Sequence, residues 1–215
     1  MLYDNQLLIA VLTREASNWD FIDTFNRLEK PPGTLIIHEK GHHISRARND
    51  AVQDFLETDR KYLMFIDDDL IFIRTDLIYR LLDWDKDLTS GLYYNRRPPF
   101  HPLMLFKEGN TLGYKYMHED YPRDQLIEVD GCGAGLLLIK REVFNHVGPP
   151  WFQVHDEWQP NKRVVWGEDI EFCVKAKQAG LKIYVDTGAI ALHIAQIPIG
   201  PEPLLYQWWK QKGSE

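Results

Sequence analysis

Three carboxylates stand in a row at Asp67-Asp68-Asp69, directly behind the apolar run Tyr62-Leu63-Met64-Phe65-Ile66. Like charges this close repel one another, so a strand end gains nothing from them without a cation nearby. A hard divalent ion is the matching partner. Mg2+ and Mn2+ take oxygen ligands, commonly one or two carboxylates completed by substrate phosphates. If the segment stays extended, residues 67 and 69 point the same way and can meet one ion or one ligand together. The end of a buried strand is also where open α/β sheets place their ligands. The plain alternative is an acidic, solvated loop.

Other chemistry-bearing groups are spread along the chain. Trp166-Gly167-Glu168-Asp169 opens a helical pattern, where acidic side chains are also stabilised by the helix dipole alone. His193 closes the apolar stretch Ala189-Ile190-Ala191-Leu192; a packed core histidine is its ordinary role. Gly131-Cys132-Gly133-Ala134-Gly135 lets a backbone approach a ligand closely. It is not the dinucleotide fingerprint, because a strand rather than a helix follows it. Arg96 and Arg97 are either a solvated basic pair or a clamp for a diphosphate. Thr13, Arg14 and Arg48 are further candidates for holding a nucleotide. Trp166 can stack on a sugar ring or serve as a core aromatic.

Hydrophobic periodicity predicts the elements that must position these groups. Leu7–Leu12, Thr34–Ile37, Tyr62–Ile66 and 87–93 read as strands. Helices intervene, with Phe21, Ile22, Phe25 and Leu28 on one face, then Ala51, Val52, Phe55 and Leu56, then Leu77, Ile78, Leu81 and Leu82. Ser45 and Thr75 are the expected caps of the second and third. Such alternation implies a mostly parallel sheet with helices on both faces. The second half reads as a hairpin over 103–116, strands at 127–129 and 136–139, and helices at 142–147 and 168–179. A last core strand is expected over 181–185, and an amphipathic tail helix carries Leu204, Leu205, Trp208 and Trp209.

The 215 residues are 44% hydrophobic, enough for one core and one domain. A net charge of −7 argues against a general electrostatic grip on nucleic acid. Cys132 and Cys173 form no disulfide framework and no four-cysteine zinc site. The N-terminal residues lack a signal-peptide pattern, and no apolar run reaches membrane-spanning length. The expectation is a soluble cytoplasmic protein of a bacterium or a phage-infected host.

Taken in order, Thr13-Arg14-Glu15, the Asp67-Asp68-Asp69 triplet, Gly131 to Gly135, Gly167-Glu168-Asp169 and His193 resemble a GT-A-fold glycosyltransferase. The segment Ser45-Arg46-Ala47-Arg48-Asn49-Asp50 adds a likeness to compact single-domain bacterial and phage members. The resemblance implies an α/β, Rossmann-like and mostly parallel sheet with a smaller antiparallel sheet on the acceptor side. It implies one domain over 1–215: a nucleotide-binding half to about residue 95, a donor-sugar and acceptor half from 96 to 195, and the tail from 196. It implies Mn2+ or Mg2+ and a nucleotide-diphosphate sugar, UDP being the commonest carrier. Asp69 is expected to bind the metal directly and Asp67 to reach the metal or the ribose, with His193 as a third ligand. Asp68 is expected to shape the loop. Asp169 is the expected general base of an inverting transfer, with Glu168 as runner-up or acceptor-orienting partner. Gly133 and Asp130 are expected to line the sugar site, and Arg97 to hold the diphosphate. Tyr206-Gln207-Trp208-Trp209 lacks the arginine of processive synthases, which implies transfer of a single sugar.

Two other classes remain. A sugar-1-phosphate nucleotidyltransferase shares the nucleotide-binding core but wants a glycine-rich basic loop after the first strand, where Thr13 to Ser17 holds no glycine. A non-catalytic nucleotide-sugar-binding module is the third. The acceptor (glycan, protein, small molecule or modified DNA base) and the oligomeric state are not legible.

Overall fold

The computed structural model describes residues 3–13, 17–41, 43–107, 114–117, 120–159 and 162–195. In chain order the elements are β1 (Leu7–Thr13), α1 (Trp19–Arg27), β2 (Leu35–Lys40), α2 (Ile44–Leu56), β3 (Tyr62–Asp67), β4 (Leu70–Phe72), α3 (Leu77–Asp83), β5 (Leu88–Leu92) and β6 (Met104–Lys107). They continue with β7 (Tyr114–Tyr116), β8 (Leu126–Val129), β9 (Gly131–Cys132), β10 (Leu136–Lys140), α4 (Arg141–Val147), β11 (His155–Gln159), β12 (Lys162–Trp166), α5 (Glu168–Gln178) and β13 (Ile183–His193).

An 8-stranded sheet runs β2-β1-β3-β10-β5-β13-β4, with β8 also paired to β13. β2, β1, β3, β5 and β13 share one direction, and β10, β4 and β8 oppose it. The sheet is therefore mostly parallel, as the strand–helix alternation implies. The apolar runs of β1 and β3 are buried on both faces because helices cover both. Period-two alternation sorts the side chains. Leu8, Ala10, Leu63 and Phe65 meet α2, α4 and α5 on one face, where Phe55, Phe144 and Phe172 pack. Ile9, Val11, Met64 and Ile66 meet Phe21 and Phe25 of α1 and Leu77, Ile78 and Leu81 of α3 on the other. Two small antiparallel sheets, β7-β6-β9 and β11-β12, stand beside the main one.

Several local expectations differ. His43, not Ser45, precedes α2, and Asp76, not Thr75, precedes α3; the Thr75 hydroxyl instead donates to Glu29. The hairpin β11-β12 is not evident in the sequence, because His155, Trp158 and Trp166 interleave with charges and give no clean alternation. The hairpin expected over 103–116 exists as β6 and β7, its turn lying outside the described residues along with the tail helix.

The last strand differs most. It runs to His193 rather than ending near residue 185, by crossing an irregularity between Asp186 and Ile190 where β5 advances only from Gly91 to Leu92. Thr187 and Gly188 read as a strand break, yet each has a fixed place. The Thr187 hydroxyl donates to the carbonyls of Pro122 and Gln125. A Cβ on Gly188 would fall on the Asp124 carboxylate and the Arg80 guanidinium, so any larger residue would displace them. Asp186, 0% exposed, accepts hydrogen bonds from Arg80, the Trp84 indole and the Gly188 amide. Beyond the bulge β13 pairs antiparallel with β4 and sets His193 opposite Leu70. Removing Asp186 strands a partly buried guanidinium and frees the bulge. Asp186→Ala is expected to cost about 3 kcal/mol in urea unfolding, whereas Asp76→Ala, at an exposed pair, should cost less than about 1 kcal/mol.

Candidate functional site

The acidic triplet is not one extended face. β3 ends at Asp67, and Asp68-Asp69 form the turn into β4, so the three carboxylates diverge. Asp67 accepts from the Arg48 guanidinium at 3.0 and 3.3 Å. Asp68 turns back to β1, where its carboxylate accepts from the Ser17 and Thr13 hydroxyls. Burial raises the Asp68 carboxyl above its usual range, and those two hydroxyls only partly offset it. Asp69 faces the opposite way, toward Arg96 at 2.6 Å and His193 Nε2 at 3.3 Å. Burial opposes the Asp69 charge, but His193 and Arg96 outweigh it and hold the carboxyl below its usual range.

His193 is oriented from its other side. Its Nδ1 lies 2.6 Å from the Tyr94 carbonyl oxygen. A carbonyl only accepts, so Nδ1 carries the proton, and Nε2 is the ring nitrogen turned toward Asp69. Metal-binding histidines are commonly fixed in this way. Asp69 Oδ1 is buried and has no hydrogen-bond donor. Two ligand atoms on adjacent corners of an octahedron with ~2.1 Å bonds stand about 3 Å apart. The Asp69–His193 spacing is close to that. The donor set therefore fits a divalent cation as a two-side-chain pair. Among the described residues, no group of three or more His, Cys, Asp and Glu is gathered tightly enough to hold a metal, and Asp67 is turned away to Arg48.

Arg48 occupies the other half of the site. Instead of facing a ligand it is 3% exposed, with Nη1 on Glu168 at 2.9 Å and Nη2 on Asp67. The rings of Phe65 and Phe152 each lie 5.8 Å from it. Burial works against its charge, but Asp67 and Glu168 more than compensate and hold it above its usual range. Glu168 is thereby committed to an ion pair. Its neighbour Asp169 makes no ion pair among the described residues and lines a cavity of about 550 Å³ with Leu105, Tyr116, Val165, Trp166 and Ile170. Burial and then the Glu168 charge push the Asp169 carboxyl up to about 6, with Arg48 pulling the other way.

The remaining candidates fall in three groups. Trp166 borders the cavity, but one face stacks on His155 at 3.9 Å and its indole N–H donates to Glu171. Asp130 is engaged by the Lys107 amide and the Lys177 ammonium, which together overcome burial and keep it below its usual range. Arg97 is exposed and its backbone amide is held by Asn95, so Arg96 rather than Arg97 reaches the acidic turn. Arg14 lies outside the described residues. A Cβ on Gly133 would collide with the Tyr93 hydroxyl, and one on Gly135 would lie 2.6 Å from Asp67 Oδ2. The glycines thus let the turn close against Asp67. Tyr93 is invisible to sequence reasoning: a tyrosine ending a buried strand carries no motif.

No known family model matches the chain, and none of the curated proteins matches it in sequence. Solved structures do match in fold. The crystal structure of A197 from STIV superposes with a TM-score of 0.57, over 89% of this chain and 86% of that one, at 23% identity. GalNAc-T7, solved with UDP, GalNAc and Mn2+, also gives a TM-score of 0.57, over 89% of this chain but only 44% of that one, at 11% identity. The chain spans under half the length of the latter structure. At these identities the likeness is one of fold, and the fold of this chain is GT-A-like.

Proposed function

We propose that the protein is a metal-dependent glycosyltransferase that moves one sugar from a nucleotide-diphosphate sugar, UDP-linked in the first instance, to an acceptor hydroxyl with inversion. The observation that carries this reading is the pairing of Asp69 Oδ1 with His193 Nε2 just past the end of β3, while Asp169 at the start of α5 lines an open cavity. The GT-A-like fold is consistent with it.

In this reading Asp69 and His193 hold a Mn2+ or Mg2+ ion, with diphosphate oxygens completing its shell. The ion would supply Lewis-acid stabilisation of the charge that gathers on the departing diphosphate. Arg96, half exposed beside Asp69, is the nearest cation for the same charge. Asp169 accepts the acceptor's hydroxyl proton. A carboxylate raised to about 6 is a stronger base than an ordinary aspartate yet still ionised at neutral pH. Glu168 and Arg48 hold the start of α5 against the end of β3 and so fix where Asp169 stands. In this reading the nucleoside would enter a second cavity of about 270 Å³, lined by Glu39, Lys40, Gly41, His43 and Arg46 at the end of β2.

The first test is a thermal-shift titration with uridine, guanosine, cytidine and thymidine diphosphates, each with and without Mn2+. One nucleotide should stabilise the fold, and only with the ion; no shift from any of them would remove the proposal. Asp69→Asn is expected to abolish that ion dependence and to lower donor turnover at least about a hundredfold. Unchanged Mn2+ dependence would reassign the ligand.

Asp169→Asn should keep the nucleotide shift but slow transfer by about 10²- to 10⁴-fold. Its pH signature has a fixed sign. The folded carboxyl titrates near 6, above the ~3.9 of an unfolded chain. Its contribution to stability is therefore fully present below pH ~4 and lost as pH rises through 6. The asparagine variant escapes that loss, so it should melt higher than the parent above pH 6 and show no such gain at pH 4. Activity of the parent should rise through pH 6 as the base ionises.

A further inference from the structure

The end of β5 delivers Tyr93 into the centre of the site, 4% exposed, between the two halves described above. Its hydroxyl accepts the Gly135 amide N–H at 2.8 Å. It also fills the space that a side chain at Gly133 or Gly135 would need. Its ring meets the His193 imidazole edge to face, with centroids 5.4 Å apart and planes at 71°. The next carbonyl along, that of Tyr94, takes the His193 Nδ1 proton, and Arg96 two residues on reaches Asp69. The returning chain clamps this segment: the Leu103 amide donates to the Tyr93 carbonyl and the Asn95 amide to that of His101. Burial, and then the charges of Asp67 and Asp169, push the phenol well above its usual range, so it stays a neutral hydroxyl.

We propose that Tyr93 is the positioning residue of the ion site, its ring bracing His193 in one orientation and its hydroxyl holding the glycine turn against Asp67. This rests on the transferase reading for its purpose but not for its geometry. The two functions separate by substitution. Tyr93→Phe keeps the ring edge against His193 and drops only the bond to Gly135. Tyr93→Leu removes both. Gly133→Ala puts a methyl where the hydroxyl stands, and Tyr93→Phe should partly relieve that clash.

The experiment is a Mn2+ titration in the presence of UDP, followed by electron spin resonance of the free ion. It is run beside nitrogen-15 spectra of the histidine rings in the metal-free protein. Tyr93→Phe is expected to weaken Mn2+ binding about fivefold to tenfold and to leave the His193 tautomer as in the parent. Tyr93→Leu is expected to weaken it at least about tenfold, in the range that oriented outer partners contribute, and to average the two His193 nitrogen signals. Urea midpoints show that each variant is folded. Folded variants that bind Mn2+ like the parent and keep a single His193 tautomer would overturn the proposal. If the parent itself binds no Mn2+, the transferase reading fails, and the ring spectra alone decide: an unaltered His193 in Tyr93→Leu would overturn the positioning role, and an averaged one would uphold it.

Discussion

The Arg48 guanidinium is the interaction on which the site depends. It sits on a buried face of α2, beside Phe65 and Phe152, and joins Asp67 at the end of β3 to Glu168 at the start of α5. These carboxylates are about a hundred residues apart in sequence. A buried ion pair of this kind adds little net stability, because the desolvation of each charge offsets their attraction. Breaking it is costly, because the survivor is left charged and dry. Such a contact specifies an arrangement more than it stabilises a fold. Here the arrangement is the distance between the strand end and Asp169.

Charge counting around that cation explains the rest of the site. Asp67, Glu168 and Asp169 surround one guanidinium, so negative charge is in excess. Burial first, and then this excess of charge, push Asp169 up to about 6, and it has no ion-pair partner among the described residues. Two adjacent carboxylates in sequence are thus given different environments: Glu168 is committed to the Arg48 ion pair, and Asp169 carries a raised carboxyl without one among the described residues. On the other side of β3 the balance is closer. Asp69 has Arg96 and His193 against it, yet one oxygen remains buried and undonated.

Much of the frame was legible because burial on both faces forces continuous apolar runs, and β1 and β3 are such runs. The triplet was legible for the converse reason, since charges behind a buried strand need a partner. What escaped was set by distant contacts. Arg48 reads as a cation for a nucleotide, but Asp67 and, 120 positions away, Glu168 hold it inside the protein. Asp67 and Asp69 look like one face until the turn at Asp68 separates them. β13 looks finished at Val185, because Thr187 and Gly188 read as a break when taken alone. Their partners Pro122, Gln125, Asp124 and Arg80 come from other segments. Asp130 and Trp166 have the right types for a sugar site, but Lys177 and His155 already engage them.

The bulge in β13 shows how these long-range contacts shape the candidate site. Beyond the irregularity β13 still pairs with β5 at Ile190 and Leu92, while on its other edge β4 takes the place that β8 holds before it, so that its last ladder pair lies against Leu70, the residue after Asp69. The Ile194 amide then donates to the Asp69 carbonyl at 2.8 Å and closes the junction. His193 therefore reaches Asp69 through backbone pairing, not through a flexible loop. A side chain carried on a paired strand is held more tightly than one on a free loop, which the proposed ion site would require of His193. The buried Asp186 cluster fixes the start of the irregularity from which β13 runs on to that contact.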